Sequence, residues 1–287
     1  MSALVVVRFV HFCVVLLVFG TLVFRPLLLG DARQQARLRQ WLDPLLCLLA
    51  GIGLITAVAW LMLTAADMAG NWQSALNSDV IMKVLTQTFF GKAWFVHLFA
   101  SLVLLMCLRI PMRLPTWLPL GLSTVQLATL APVGHAAMLS GVPGALLMLN
   151  QLVHLLCVAG WMGALMLLMI IQARPAGYDL RGTLLRFSGY GLVLVAGILV
   201  TGLINVRVLT GALWPTPMDS GFALVLAVKA SIVACMLALA LFNRAALANQ
   251  RIALNTLRQT VLVEWLLGLG ALAAVSLLGT LSPVPLV

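Results

Sequence analysis

The four histidines of this sequence are its best candidates for metal chemistry: His11, His97, His135 and His154. Neutral imidazole binds Cu, Zn, Fe and Ni, and a thioether ligand nearby shifts the preference toward Cu(I). Met138 follows His135 by three residues, and Met148 is close enough along the chain to share the same outer loop. Because methionine also fills apolar space, these two sulfur atoms support a copper site only together with the histidines.

Three further polar side chains fall inside apolar stretches: Arg8, Asn205 and Lys229. A fixed positive charge repels a metal cation, whereas it would suit an anion or the propionates of a haem held by two histidines. An arginine near a helix end can instead extend to the membrane surface, and Lys229 can pair with a backbone carbonyl or with Asn205. The sequence leaves these alternatives open.

The composition predicts a membrane protein. The chain is 63% hydrophobic and 8% charged, with a mean hydropathy of +1.14, which is more apolar surface than a water-soluble core can hide. A helix needs roughly 20 apolar residues to cross a bilayer. Eight stretches qualify: Ala3–Phe24, Leu45–Ala66, Ala93–Ile110, Trp117–Val133, Leu149–Ile171, Phe187–Leu209, Phe222–Phe242 and Val261–Leu281. The predicted fold is all-α, a polytopic bundle of about eight transmembrane helices in one membrane domain, residues 1–287.

Basic residues are distributed unevenly among the predicted loops. Most of the 17 lysines and arginines fall in the first, third, fifth and seventh loops, whereas the loops opposite hold just Lys83 and Lys92. Since cytoplasmic loops retain Lys and Arg, we expect both termini on the outer, periplasmic side, and all four histidines in or near the outer half of the membrane. Topology and lipid headgroups then account for the net charge of +10, and no nucleic-acid partner is expected.

The second loop has a weaker helical pattern. Ile81, Val84, Leu85, Thr88 and Phe89 follow helical spacing, which favours a short amphipathic helix on the outer surface of the membrane. An ordinary loop is the alternative.

Three charged residues are expected at the inner ends of the C-terminal helices. Glu264 lies one turn into the last span, at the depth of Arg186 before the sixth span and of Arg244 after the seventh. Opposite charges at equal depth predict a structural ion pair that clamps these helix ends together.

Catalytic motifs are missing from the sequence. It has no H-E-x-x-H zinc motif, no P-loop, no G-x-S-x-G nucleophile turn and no carboxylate pair inside a span. We therefore expect a protein that is not an enzyme, and the absent nucleotide-binding domain excludes an ATP-driven pump acting alone.

A series of short motifs runs through nearly the whole chain: Arg8-Phe9-Val10-His11-Phe12, Gly134-His135, Asn150 through His154-Leu155-Leu156 to Trp161 and Gly163, Arg186-Phe187-Ser188, Thr201-Gly202 with Asn205, Lys229, Asn243-Arg244 and Glu264. In their order and spacing the chain resembles the CopD family of inner-membrane copper-resistance and copper-uptake proteins, most strongly over residues 186–283. The resemblance implies eight spans, movement of copper across the inner membrane, and often a small periplasmic copper carrier of the CopC type as partner. It also implies His11, His135 and His154 as copper ligands; the predicted topology adds His97.

Two other functions remain open at this point. Paired histidines with Arg and Lys nearby would also suit a redox membrane protein that binds haem b through two histidines. A sensor or scaffold subunit could bind the metal without moving it. The leading expectation is a copper transport protein that receives the ion at an outer-facing His/Met site.

Overall fold

The computed structural model describes residues 2–110, 115–134, 139–215, 217–248 and 254–281, and within these ranges the regular structure is entirely helical. The α-helices are α1 (Ser2–Leu28), α2 (Ala32–Ala69), α3 (Ser78–Gln87), α4 (Phe89–Arg109), α5 (Trp117–Leu130), α6 (Gly141–Ala173), α7 (Leu180–Thr210), α8 (Gly221–Ala248) and α9 (Leu254–Leu278), with a short 3₁₀ helix at Trp72–Leu76. The predicted all-α polytopic bundle is confirmed.

Seven of these helices, α1, α2, α4 and α6 to α9, are long and apolar enough to cross a membrane. The remaining predicted span is α5, whose 14 residues extend about 21 Å. Two contacts show that α5 runs antiparallel to α4: Gln126 Nε2 donates to Ser101 Oγ at 2.8 Å, and the His97 ring meets Thr129 one turn further along. Helix α5 therefore runs back toward the end of the bundle at which α4 begins, but it is too short to count among the helices able to cross a membrane.

Several helices extend beyond the apolar stretches that predict them. Helix α2 begins at Ala32 rather than Leu45, because the Asp31 carboxylate caps its first turn by accepting from the Arg33 amide at 3.0 Å. Helix α7 begins at Leu180, where Asp179 accepts from the Gly182 amide. Polar caps of this kind stabilise a helix end in water, and hydropathy does not detect them.

Helices α1 and α6 form the centre of the bundle. Their most apolar stretches are 61% and 67% buried, against 6% for each of α7 and α8. Gly20 of α1 and Gly163 of α6 allow the two backbones to approach closely, since a Cβ at Gly20 would collide with the Ala159 carbonyl. Small residues at such crossings are the usual means of close helix packing in membranes. The outer faces of α7 and α8 are left for lipid.

The second loop contains the short helix α3, which settles the alternative between helix and ordinary loop. Asn77 caps its start, and Thr88 ends it while its hydroxyl accepts from the Gly91 amide to begin α4. Val84 is buried against the bundle. The position of α3 on the membrane surface stays a prediction.

Candidate metal centre

His11 of α1 and His97 of α4 face each other inside the N-terminal half of the bundle. Their Nε2 atoms are 3.1 Å apart, and neither side chain has any solvent exposure. The two residues are 86 positions apart in the chain, so the contact depends on how α1 and α4 pack.

A threonine on a neighbouring helix holds each ring by its other nitrogen. Nδ1 of His11 is 2.9 Å from Oγ1 of Thr56 on α2, and Nδ1 of His97 is 2.8 Å from Oγ1 of Thr129 on α5. Hydrogen bonds of this type fix the tautomer and the orientation of histidines that bind metals.

The threonine hydroxyls can serve either tautomer of the histidines. Oγ1 of Thr56 lies 2.8 Å from the Ile52 carbonyl, and Oγ1 of Thr129 lies 2.9 Å from the carbonyl of Gln126. Each hydroxyl can donate to that carbonyl and accept from Nδ1, or donate to Nδ1 instead. Two neutral rings therefore share one N–H···N hydrogen bond across the 3.1 Å contact, with Nε2 of one ring as donor and Nε2 of the other as acceptor.

Two tryptophans enclose the pair. The Trp94 ring stacks on His97 with centroids 4.7 Å apart and planes 9° apart, and its Nε1 donates to the Ala57 carbonyl at 2.9 Å. Trp60 meets His11 edge-on at 5.5 Å. Both indoles are buried, so the site excludes water and has no room for a porphyrin between the imidazoles.

His154 of α6 repeats the threonine contact in a different setting. Its Nδ1 is 2.8 Å from Oγ1 of Thr201, which donates to the Gly197 carbonyl. Within the described ranges no second imidazole faces it. Instead its ring lines two cavities of about 150 Å³ each, together with Lys229.

Amide side chains bound these cavities. Asn150 donates to Oδ1 of Asn205 at 2.8 Å, and Asn205 donates to Oε1 of Gln151 at 2.8 Å, which ties α6 to α7. One of the cavities also reaches Arg8 and Gly134. The His154 region thus contains a cavity with a lysine and amide side chains in its walls, unlike the dry pocket around His11 and His97.

The structure therefore brings only two of the predicted metal ligands into contact. His11 and His97 meet, His154 stands apart from them, and His135 and Met138 lie outside the described residues. Met148 is half-buried in the second turn of α6. The part of the chain that the structure describes contains no cluster of three or more His, Cys, Asp or Glu side chains suited to a metal.

Two of the three other predicted polar residues have hydrogen-bond partners, and the third, Lys229, has none among the described residues. Arg8 is buried, lies over the Trp60 ring at 5.1 Å and donates to the Gly279 carbonyl at 3.0 Å, so it joins α1 to the end of α9 instead of extending to the surface. Asn205 belongs to the amide network. Lys229 is half-buried beside His154, and no described residue accepts a hydrogen bond from it.

The predicted inner ion pair is wrong. Arg186 donates to the Leu28 carbonyl at 2.8 Å, and Arg244 donates to the Ser188 carbonyl and hydroxyl. Glu264 receives one long hydrogen bond, from Asn243 at 3.4 Å. Backbone carbonyls near helix ends compete for guanidinium groups, and here they bind both arginines. Among the described residues, the one ion pair is Arg25 with Asp43 at 3.3 Å.

Sequence reasoning missed the residues that support the histidines. Thr56, Thr129 and Thr201 are hydroxyl side chains inside apolar helices, and Trp60 and Trp94 are aromatic residues that read as ordinary core. The sequence does contain a signal for the threonines, because a hydroxyl within a membrane helix needs a hydrogen-bond partner. The pairing of each threonine with a histidine depends on helix rotation, which one sequence does not specify.

Comparisons with known proteins indicate the same family over nearly the whole chain. Residues 1–145 match the family model described as "Copper resistance protein D-like, N-terminal domain", and residues 181–278 match the model "Copper resistance protein D". The chain is 32% identical to the inner membrane protein YebZ of Escherichia coli (strain K12), over 97% of this chain and 98% of the relative. It is 30% identical to copper resistance protein D of Pseudomonas syringae pv. tomato, over 97% of this chain and 96% of the relative.

A more distant similarity is to the copper transport protein CutJ of Bacillus subtilis (strain 168), at 27% identity over 83% of this chain and 45% of the relative. No solved structure matches.

Proposed function

Because this chain belongs to the copper resistance protein D family, we propose that it transports copper across the bacterial inner membrane and binds the ion between His11 and His97. The observation that supports the site is the opposition of the two Nε2 atoms at 3.1 Å, each ring held at Nδ1 by a threonine. Imidazole is a strong copper ligand, and two imidazoles facing each other offer two-coordinate binding.

Copper binding requires a small opening of the pair. Metal–imidazole bonds of about 2 Å place two opposed Nε2 atoms about 4 Å apart. His11 and His97 must therefore separate by roughly 1 Å from their present 3.1 Å. In the closed arrangement an N–H···N hydrogen bond between the rings takes the place of the ion. On copper entry the donor ring exchanges its proton from Nε2 to Nδ1, so that both Nε2 lone pairs face the metal.

The predicted orientation puts this site in the outer half of the membrane, where a periplasmic carrier of the CopC type would deliver copper. His135, Met138, Met148 and His154 remain proposed as additional ligands on that side. The cavity reaching Gly134 would lead from the outer loop that contains His135 toward His154.

Transport into proteoliposomes of defined orientation tests the proposal. We expect wild-type protein to move copper and the double variant His11→Gln with His97→Gln to lose this activity. X-ray absorption of the copper-loaded protein should show nitrogen scatterers without sulfur at the pair. Cys235→Ser, which removes an exposed thiol of α8, is the matched control and should behave as wild type.

The other possible outcomes would indicate a different function or rule out the proposed site. Copper bound without uptake would indicate a sensor or scaffold subunit. A Soret band in the purified protein would favour haem, at a place other than the Trp-enclosed pair. Wild-type uptake by the double variant would rule out the proposed site.

A further inference from the structure

Glu264 of α9 is a carboxyl group enclosed in the membrane domain and is the sole glutamate of the chain. It is 1% exposed. Its Oε2 accepts one hydrogen bond of 3.4 Å from Asn243 of α8, and its Oε1 has no partner. Asn243 is itself fixed, because Thr260 donates to its Oδ1 at 2.6 Å.

The groups around Glu264 do not neutralise a negative charge. Helices α6, α7, α8 and α9 line a cavity of about 60 Å³ beside it, and among the described residues lining that cavity Arg244 is the one other charged or titratable side chain. Its guanidinium is bonded to Ser188 of α7 at 2.8 and 3.0 Å. A carboxylate without a partner in the membrane interior is costly. In this conformation Glu264 is therefore a neutral carboxylic acid.

The Glu264 cavity adjoins the His154 cavity. Both are lined by Trp161, Val195 and Leu237, so the indole of Trp161 stands between them. Its Nε1 has no partner among the described residues. Helices α6 to α9 line both cavities, with Lys229 and His154 in one and Glu264 and Arg244 in the other. We call the two cavities, interrupted at Trp161, the candidate route.

We propose that Glu264 is a proton-binding site that couples proton movement to copper transport, which rests on the function proposed above. In the present state the O–H bond is on Oε1 and Arg244 is bonded to Ser188. On release, that bond breaks, the proton passes to water in the cavity, and Arg244 leaves Ser188 to pair with the carboxylate. Because Ser188 lies on α7 and Arg244 on α8, proton release removes a contact between those helices and changes the route that they line.

The site can be tested without transport. Since glutamate occurs once, labelling the glutamate carboxyl with ¹³C makes Glu264 the one isotope-shifted acid in an infrared spectrum of the full chain in lipid. We expect the carbonyl stretch of a protonated acid at neutral pH, lost on titration to high pH. In Arg244→Gln the band should persist to higher pH, by about one pH unit, because the carboxylate has lost its cation. A carboxylate spectrum at neutral pH in the folded wild type would overturn the proposal.

Coupling is tested in proteoliposomes with copper flux and internal pH followed together. We expect wild-type copper flux to be accompanied by proton movement, and Glu264→Gln to abolish the proton movement. Asp219→Asn, an exposed carboxyl before α8, should match wild type. Equal proton movement per copper in Glu264→Gln and wild type would overturn the coupling. Absence of copper flux in wild type would instead contradict the proposed function, while the infrared result still decides the proton site.

Discussion

The two histidine regions of this bundle share a threonine contact to the imidazole and differ in the groups that surround the ring. In both, a threonine hydroxyl bonded to its own helix backbone holds Nδ1 of the imidazole. Around His11 and His97 a second imidazole stands opposite and indoles exclude water. Around His154 there is a cavity with a lysine. We therefore expect the group opposite each imidazole and the local charge, besides ligand type and orientation, to decide how tightly each region binds a cation.

This comparison predicts the largest effect for histidine substitutions. His11→Gln and His97→Gln should each weaken copper affinity by roughly 100-fold or more, beyond the 10- to 100-fold typical of supporting residues. His154→Gln should weaken it much less, since Lys229 disfavours a cation there. Competition with a chromogenic Cu(I) chelator measures the affinities, with size-exclusion elution as the check on folding. Equal losses in all three variants would show that His154 belongs to the same site.

The threonine contacts should have the next largest effect. Thr56→Val and Thr129→Val keep the shape of the side chain but remove the hydrogen-bond partner of Nδ1, so each ring is free to turn its Nε2 atom away from the ion. We expect copper affinity to fall by about 10- to 100-fold, and the corresponding serine variants to retain it. Thr201→Val makes the same change at His154 and is the matched control. If it proves as damaging as the other two, the distinction between the regions fails.

Acidification should weaken copper binding at the pair. Protonated imidazole cannot coordinate a metal, so once acid protonates one histidine of the pair, copper affinity falls by up to about tenfold for each further unit that the pH drops. The same titration in the His154→Gln variant should have an unchanged slope. A pH-independent affinity would mean that the ion is bound by groups that carry no proton, such as methionine.

Much of the fold could be predicted from the sequence because lipid imposes a simple rule on helix length and polarity. The apolar stretches identified every long helix, and the helical spacing around Val84 identified α3. Helix ends were less accurate, because Asp31 and Asp179 extend α2 and α7 through local hydrogen bonds that hydropathy ignores. The loop charges give an orientation that remains a prediction.

The candidate site was harder to predict than the fold. Depth along the helices suggested that His11 and His97 are close, but facing atoms require the rotation of α1 and α4 about their axes, which small residues such as Gly20 help to set. The ion pair predicted for Glu264 was wrong for a different reason. Equal depth suggested an ion pair, whereas Arg186 and Arg244 found carbonyls within reach, and sequence distance says nothing about such competition.

The smallest expected effect tests whether the charge of Lys229 weakens copper binding at His154. Lys229→Gln removes the amino group beside His154, keeps the threonine contact and leaves a polar side chain in the cavity wall. If the charge of Lys229 alone weakens copper binding at His154, its removal should raise the affinity for a second copper ion there. We expect a few-fold increase, because the effective dielectric near the cavity damps the repulsion. Adding His154→Gln should remove that second ion and leave the first intact. Unchanged stoichiometry in Lys229→Gln would indicate instead that the missing second imidazole, and not the lysine, distinguishes the two regions.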